Sequence, residues 1–255
     1  LPYFKKAENF HGDGDEEFHG YSGPLHVKKS DREDDLLLDK FIEAGEEAGF
    51  PLTRDFNGKE QEGFSRYEHT INDTPRGPRR WSSAQAYLHP ALKRKNLFNE
   101  TNVTVDKLIL DGKKVKGVEY VNEKGVRTSC FVNREVILSA GALGSPQILM
   151  RSGIGDSNDI TKHGIEMVHE LKGVGKNLQD HYGVTSAFYA TQPVTLHRSA
   201  SWLSTQIAGI KYLLFGTGDA AYPPCSGGAF IKSSPDKDLP DTCLLYTSDA
   251  ADDGV

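Results

Sequence analysis

The spacing of apolar residues changes character along the chain, and each change predicts a different kind of element. Leu38, Phe41 and Ile42 fall on one face of a helical period, which is typical of an amphipathic helix. Residues 30–33 read Ser-Asp-Arg-Glu, the spacing of a capping box, and Gly49 is suited to a helix end. The pattern therefore predicts a first long helix that this box opens and Gly49 closes.

From residue 103 onward, the apolar positions follow the alternation of β-strands. Three such runs, at residues 103–110, 115–121 and 126–132, are separated by Asp111-Gly112 and Lys124-Gly125, pairs that are typical of hairpin turns. The sequence predicts a three-stranded meander here.

A strand, a turn and a helix are predicted directly after the meander. Residues 134–140 include a Val-Ile-Leu run and predict a buried strand that stops at Gly141. Ser145 followed by Pro146 has the form of a helix cap and a first helical residue, and Gly153 is suited to the end of that helix. A meander that leads into a strand and a helix indicates the α/β fold class.

Two further stretches complete the pattern. Residues 201–215 place apolar side chains at spacings of four, three and four, which predicts a helix closed by Gly216. Residues 58–80 show no sustained period and predict a long loop excursion, of a length that is usually functional or a substructure of its own.

The composition narrows the classes of protein that fit. The chain has 255 residues, of which 37% are apolar and 26% charged, so it has enough apolar mass for a core and does not resemble a disordered chain. The net charge of −6 gives no basic footprint for nucleic acid. No apolar run approaches the roughly 18–20 residues of a membrane span. Cys130, Cys225 and Cys243 lack zinc-ligand spacing, as do the nine histidines, so no metal site is predicted.

One glycine-rich segment has the letters of a dinucleotide-binding fingerprint. Residues 216–221 read Gly-Thr-Gly-Asp-Ala-Ala, but they follow a predicted helix, whereas the fingerprint needs a strand before it and a helix after it. We therefore interpret the segment as a chance match. The sequence also holds no Gly-x-Ser-x-Gly elbow and no His-Glu-x-x-His zinc motif.

The turn between the predicted strand and helix is the segment best suited to a cofactor. Ala140 and Gly141 have little side-chain bulk, which lets a ring or a ribose approach the backbone. The residues alone are equally consistent with a plain packing turn between a strand and a helix.

Several segments together identify a family. Residues 141–155 resemble the second signature of the glucose-methanol-choline (GMC) flavoprotein oxidoreductases at every restricted position, and residues 171–181 are similar to another hallmark of that family. Upstream, residues 1–8 and 81–92 resemble its choline-oxidising members in particular. The resemblance covers about residues 1–241.

The resemblance implies a domain organisation. Family members bind FAD in a Rossmann-like domain beside a substrate domain, so residues 1–181 are expected to form part of the FAD-binding domain, with the meander in it. Residues 20–80 are expected to be an excursion towards the substrate domain. Residues 182–242 are expected to begin that α+β substrate domain.

The resemblance also implies site residues. Val105 matches the family's adenine-contacting valine, and Ala140 with Gly141 are expected to contact the same side of FAD. The identity of Val105 is equally consistent with an ordinary core residue of a β-strand. No catalytic residue is expected in this chain, because the family's catalytic histidine would lie beyond its end.

The implied reaction is oxidation of a primary alcohol, choline or a similar one, by hydride transfer to flavin. Choline-oxidising members have a glutamate two residues after a Gln-Asp-His triplet, and this chain has Gly183 there. Aromatic faces at Tyr182 or Trp202 offer another way to hold a trimethylammonium group. The alternatives are a GMC dehydrogenase for a non-cationic aliphatic alcohol or a sugar, and a non-enzymatic binding remnant. The sequence does not specify the electron acceptor, and a mitochondrial location is implied by the resemblance alone.

The ends of the chain carry two expectations. The chain resembles an internal fragment, which by itself is expected to bind no FAD tightly and to have no turnover. Residues 243–255 look like a translated sequencing adapter rather than native sequence. We expect this tail to lack a partner strand and to be poorly ordered.

Overall fold

The structure is a computed structural model that describes residues 1–29, 35–192, 194–195, 201–221, 223 and 225–247. The chain divides into two compact units, one formed by Leu1–Leu97 with Thr185–Val255 and the other by Phe98–Val184. We call them the discontinuous unit and the continuous unit. Both contain helices and strands, which confirms the predicted α/β fold class.

The described helices are α1 (Pro2–Ala7), α2 (Leu36–Glu47), α3 (His89–Ala91), α4 (Gly141–Arg151), α5 (Ser157–Thr161) and α6 (Trp202–Phe215), with a π-helical turn over Ala84–Leu88 that runs into α3. The described strands are β1 (Glu8–His11), β2 (Leu25–Lys29), β3 (Gly63–Arg66), β4 (Glu68–His69), β5 (Ile71–Thr74), β6 (Gly77–Arg80), β7 (Val103–Asp111), β8 (Lys114–Asn122), β9 (Arg127–Phe131), β10 (Ile154–Gly155), β11 (His169–Glu170), β12 (Gly227–Ile231) and β13 (Thr242–Tyr246).

Three small sheets build the discontinuous unit. Strands β1 and β2 are parallel, with β4 antiparallel to β2, and β3, β12 and β13 form an antiparallel sheet in the order β13-β12-β3. Strands β5 and β6 form a hairpin. The expectation of a loop excursion over residues 58–80 is therefore wrong for most of that stretch. Its strands have only two to four residues each, too few for an alternating pattern to be recognised in the sequence.

Helix α2 packs on the β13-β12-β3 sheet through small residues. A Cβ atom added to Gly45 would lie 2.6 Å from the Phe64 ring, and one added to Gly227 would lie 2.6 Å from Leu38 Cδ1. Leu38 is fully buried at this contact. The close approach of helix and sheet places the core of the unit between α2, β3 and β12.

The first turn of α2 differs from the predicted one. Asp35 is the N-cap, and its carboxylate accepts a hydrogen bond from the Leu38 backbone N–H at 3.3 Å. The predicted capping box at residues 30–33 lies outside the described residues. Asp and Ser cap helices by the same acceptor geometry, so the sequence offered two candidates only a few residues apart. The predicted end at Gly49 is confirmed, because this glycine has φ +87° directly after the helix.

Part of the expected non-native tail forms a strand. Strand β13 pairs antiparallel with β12, from Gly227↔Tyr246 to Ile231↔Thr242, and the Tyr246 ring stacks on Phe41 at a centroid distance of 5.4 Å. The expectation that this tail lacks a partner strand is therefore wrong for residues 243–246. Strand β13 pairs with the edge of β12 that β3 leaves free, and its side chains alternate between the two faces of the sheet. Residues 248–255 lie outside the described part of the chain, and the adapter origin of the tail stays a prediction.

Strands β7, β8 and β9 confirm the predicted meander in the continuous unit. They form an antiparallel sheet in that order, with the two turns at the predicted Asp-Gly and Lys-Gly pairs. The predicted strand over residues 134–140 is wrong: these residues pair with no strand in the part of the chain that the structure describes, and Ile137 is 78% exposed. An apolar run of this kind forms a strand only where neighbouring strands supply hydrogen-bond partners.

Helix α4 begins at Gly141, earlier than predicted. Pro146 lies inside the helix, and the Ser145 hydroxyl accepts a hydrogen bond from the Ala140 N–H at 3.1 Å. Ser145 therefore bonds back to the helix start from within the first turns, although the sequence predicted it as the cap. The predicted end near Gly153 is confirmed.

Helix α6 confirms the prediction for residues 201–215. Ser201 caps it by accepting a hydrogen bond from the Ser204 N–H, and Gly216 ends it with φ +66°. Residues 216–221 follow this helix and include only a short 3-10 turn, which confirms that the fingerprint match there is accidental. Seven apolar residues of α6 are exposed, namely Trp202, Leu203, Ile207, Ile210, Leu213, Leu214 and Phe215. Within the described ranges, no helix combines the length and apolar character needed to cross a membrane.

Candidate cofactor-binding site

Val105 lies in β7 beside a β-bulge. It is half-buried and faces Tyr120 of β8, whereas the next pair along the ladder is Lys107 with Glu119. Asp106 is therefore the extra residue of the bulge. A bulge bends its strand and redirects the neighbouring side chains, so the direction of Val105 depends on how this bulge is held.

Two arginines hold the Asp106 carboxylate. Arg151 donates from Nε to Oδ1 at 2.9 Å and to the Asp106 backbone carbonyl at 3.1 Å, and its terminal nitrogen also bonds Oδ1. Arg127 donates from Nη1 to Oδ2 at 2.5 Å and to Glu119 Oε1 at 2.7 Å. The hydrogen bonds from Arg127 and Arg151 hold the pKa of the Asp106 carboxyl below its usual range. The carboxylate is therefore ionised at neutral pH.

A second contact ties β7 to α4. The Ser152 hydroxyl accepts a hydrogen bond from the Leu108 backbone N–H at 2.8 Å and donates to the Ile148 carbonyl. Ser152 and Leu108 are both buried. The C-terminal end of α4 is thus joined to β7 by the Asp106–Arg151 ion pair and by this hydrogen bond.

Ala140 and Gly141 lie at the other end of α4. Both are exposed, Gly141 has φ +79°, and a Cβ atom built on it would meet no heavy atom within 4 Å. The N-cap residue Ala140 makes no side-chain capping hydrogen bond, and the first turn of the helix contains no acidic residue. Small residues and uncapped backbone N–H groups at a helix N-terminus suit a negatively charged or ring-shaped cofactor group. The residues present therefore fit one side of FAD.

The three predicted site residues are carried by two elements that contact each other. Val105 is on β7 next to the contact with the end of α4, and Ala140 with Gly141 are at the start of α4. An 11-residue helix is about 16 Å long. The structure therefore places these residues on one framework rather than in one contact cluster.

Sequence reasoning missed the residues that hold this framework. Arg127 and Arg151 lie 21 and 45 positions after Asp106, and no motif or period links the three residues. The local signal at this position is a pair of charged residues, Asp106 and Lys107, inside a strand that is otherwise mostly apolar.

A buried histidine in the discontinuous unit was also missed. His19 is 2% exposed, with Nδ1 at 3.0 Å from Glu8 Oε2 and Nε2 at 2.8 Å from Asp55 Oδ2. Carboxylates accept hydrogen bonds, so both ring nitrogens must donate, which requires the protonated imidazolium. Burial alone lowers the pKa of His19, but the bonds to Asp55 and Glu8 outweigh it and raise this pKa above its ordinary value. The Phe10 ring stacks on His19 at 3.9 Å.

The position expected to recognise the substrate is open. Gly183 has no heavy atom within 4 Å of a built Cβ, and the neighbouring Tyr182 side chain is 96% exposed. Trp202 is also exposed, at the start of α6. In the ranges that the structure describes, no three His, Cys, Asp or Glu side chains cluster as metal ligands.

Comparison with protein families supports the family prediction. The family model for GMC oxidoreductases matches residues 1–183. Mitochondrial choline dehydrogenase of Mus musculus is 42% identical over 241 residues, which cover 94% of this chain and 39% of the relative. Oxygen-dependent choline dehydrogenase of Brucella ovis is 43% identical over 242 residues, which cover 94% of this chain and 42% of the relative. This chain thus spans about two fifths of the length of these relatives.

Solved structures of other proteins are also similar to this chain. Pyridoxine 4-oxidase from Mesorbium loti is 34% identical, with a TM-score of 0.60 over 67% of this chain and 32% of the other. A formate oxidase variant from Aspergillus oryzae is 25% identical, with a TM-score of 0.77 over 90% of this chain and 40% of the other. The predictions of the family and of FAD as its cofactor are confirmed.

Proposed function

Because this chain belongs to the GMC oxidoreductase family, we propose that the complete protein oxidises a primary alcohol of the choline type with FAD. The observation that carries this proposal is the 42–43% identity to choline dehydrogenases over 94% of the chain. When bound, FAD supplies the acceptor for the hydride that leaves the alcohol carbon.

The proposed part of this chain in the reaction is to bind the adenine side of FAD. Val105 provides an apolar surface on β7, and Ala140 with Gly141 leave room at the uncapped start of α4. No acidic side chain in the first turn of α4 opposes the negative charge of the cofactor. We place these contacts in an FAD-binding domain over residues 1–181, with a substrate domain that begins at residues 182–242.

A second candidate substrate is a neutral aliphatic alcohol or a sugar. Gly183 favours it, because a glycine provides no carboxylate to pair with a trimethylammonium group. Exposed aromatic faces such as Tyr182 favour the choline type, because they attract quaternary cations.

Steady-state assays of the complete protein test the proposal. Choline, a series of aliphatic primary alcohols and a sugar are each offered to the flavin-loaded protein, and reduction of the flavin is followed by its absorbance. We expect choline to reduce the flavin fastest. Faster reduction by neutral alcohols would select the second candidate, and no reduction by any of them would contradict the assignment as an alcohol oxidoreductase.

The relatives also support a proposed location. The mouse and human choline dehydrogenases are named as mitochondrial proteins, and on that basis we propose a mitochondrial location for the complete protein. Fractionation of the source cells with an antibody against residues 98–184 tests it, and enrichment outside the mitochondrial fraction would contradict it.

A further inference from the structure

We propose that Asp106 is a positioning residue for the adenine side of FAD. It fixes the bulge beside Val105 and ties that strand to the helix that starts at Ala140 and Gly141. The inference rests on the proposed function, since it concerns the cofactor contacts proposed there. It adds a residue that is not itself among the proposed contacts with FAD.

The position of the bulge determines which face of the sheet the Val105 side chain lies on. A shift of the extra residue by one position along β7 would turn Val105 to the opposite face of the sheet. Asp106 prevents this shift, because its side chain is only 11% exposed and is bonded on both carboxylate oxygens. The apolar face of Val105 is thereby kept towards one side.

The two arginines come from different elements, and this makes the carboxylate a three-way junction. Arg127 is the first residue of β9 and also bonds Glu119, the partner of the residue that follows the bulge. Arg151 is the last residue of α4, and its guanidinium bonds both the carboxylate and the backbone carbonyl of Asp106. Together with the hydrogen bond between Ser152 and Leu108, this side chain holds the meander and α4 at a fixed relative position.

An ionised carboxylate is required for this arrangement. Both oxygens accept from a cation, whereas the amide of an asparagine has one accepting oxygen and an NH₂ group that would face the second guanidinium. Asp106→Asn therefore removes the interaction with one of the two arginines while conserving side-chain size. Asp111→Asn is the matched control, because Asp111 lies on the same strand with a side chain that is 75% exposed and a single 3.5 Å ion pair to Lys116.

The test measures rebinding of FAD to the flavin-stripped complete protein, with ADP as a competitor that resembles only the adenine side. For Asp106→Asn we expect the dissociation constant of FAD and the inhibition constant of ADP to rise together, each about tenfold, and kcat at saturating FAD to stay unchanged. Asp111→Asn is expected to leave all three at wild-type values. Arg151→Lys, which replaces the planar guanidinium by one ammonium group, serves as a second variant. It is expected to raise the dissociation constant of FAD and the inhibition constant of ADP by the same factor.

Each outcome decides one question. Unchanged FAD and ADP binding in both variants would overturn the inference while the flavoprotein assignment stands. Weaker FAD binding with unchanged ADP inhibition would also overturn it, because the loss would then lie outside the adenine side. If the wild-type complete protein bound no FAD, the proposed function itself would fail.

Discussion

At the scale of single residues, His19 has its protonation state fixed by geometry. Its two ring nitrogens face Glu8 and Asp55, and Asp55 also accepts from the Asp15 and Asn57 backbone N–H groups. Burial alone raises the pKa of Asp55, but the bonds from His19 and Asn57 lower it below its ordinary value. The imidazolium thus bridges Glu8 and Asp55.

This bridge predicts a pH dependence of stability. Because the pKa of folded His19 lies above the ordinary value of 6.5, its stabilisation is complete below pH 6.5 and is lost as pH rises through the raised value. We expect the free energy of unfolding of the wild type to fall in that window. The side chain of His19→Gln is neutral at every pH and carries both N–H donors on one nitrogen, so the variant should lose about 1–3 kcal/mol at pH 6 and show a flatter pH profile.

Urea unfolding of the complete protein between pH 5.5 and 9 measures both effects. His163→Gln is the control, since His163 is an exposed histidine after α5. Parallel pH profiles for wild type and His19→Gln would contradict the imidazolium bridge.

Gly183 carries the residue-scale prediction on specificity. Its backbone has open space for a side chain, so Gly183→Glu adds a carboxylate without a steric clash. If this segment faces the substrate, the ratio of kcat/KM for choline over a neutral alcohol should rise about fivefold, which corresponds to roughly 1 kcal/mol for a partly exposed ion pair. Gly173→Glu, at a second open position, is the control and should leave the ratio unchanged. An equal change in both variants would point to a general charge effect.

At the scale of elements, the packing of β12 against its neighbours requires a glycine at position 228. A Cβ atom on Gly228 would lie 2.0 Å from the Leu244 carbonyl oxygen of β13 and 2.2 Å from the Tyr67 hydroxyl oxygen. Gly228→Ala must therefore push β13 or Tyr67 away from the sheet. We expect a loss of about 1–3 kcal/mol in the free energy of unfolding.

Thermal unfolding of the 255-residue chain, followed by circular dichroism, measures this loss. Gly173→Ala, which meets no atom within 4 Å, is the matched control. If Gly228→Ala were as stable as the control, the pairing of β12 with β13 would be wrong, and with it the order that the structure gives to Thr242–Tyr246.

At the scale of the whole molecule, we predict that the 255-residue chain by itself retains no stoichiometric flavin. The one segment with fingerprint letters, residues 216–221, follows α6 and offers no strand-to-helix turn for the pyrophosphate. The proposed contacts at Val105, Ala140 and Gly141 would bind one side of the cofactor only. Flavin absorbance after purification measures the outcome, with the complete protein as the control. Stoichiometric flavin in the isolated chain would contradict the prediction.

The sequence by itself determined the elements that local signals specify. The Asp-Gly and Lys-Gly pairs defined the meander, because a hairpin turn depends on a few adjacent residues. Helix α6 followed from its own periodicity, its Ser201 cap and Gly216. The family and its cofactor followed from motifs of consecutive residues, of which residues 141–155 were the most specific.

Tertiary structure alone decided what depends on distant partners. The short strands between residues 63 and 80 exist because strands such as β2 and β12 supply hydrogen bonds, whereas the apolar run at residues 134–140 has no such partner among the described residues. The Asp106 and His19 ion networks join residues up to 45 positions apart. Strand pairing and ion pairing depend on proximity in space, which local periodicity does not encode, and so they appear only once the chain is folded.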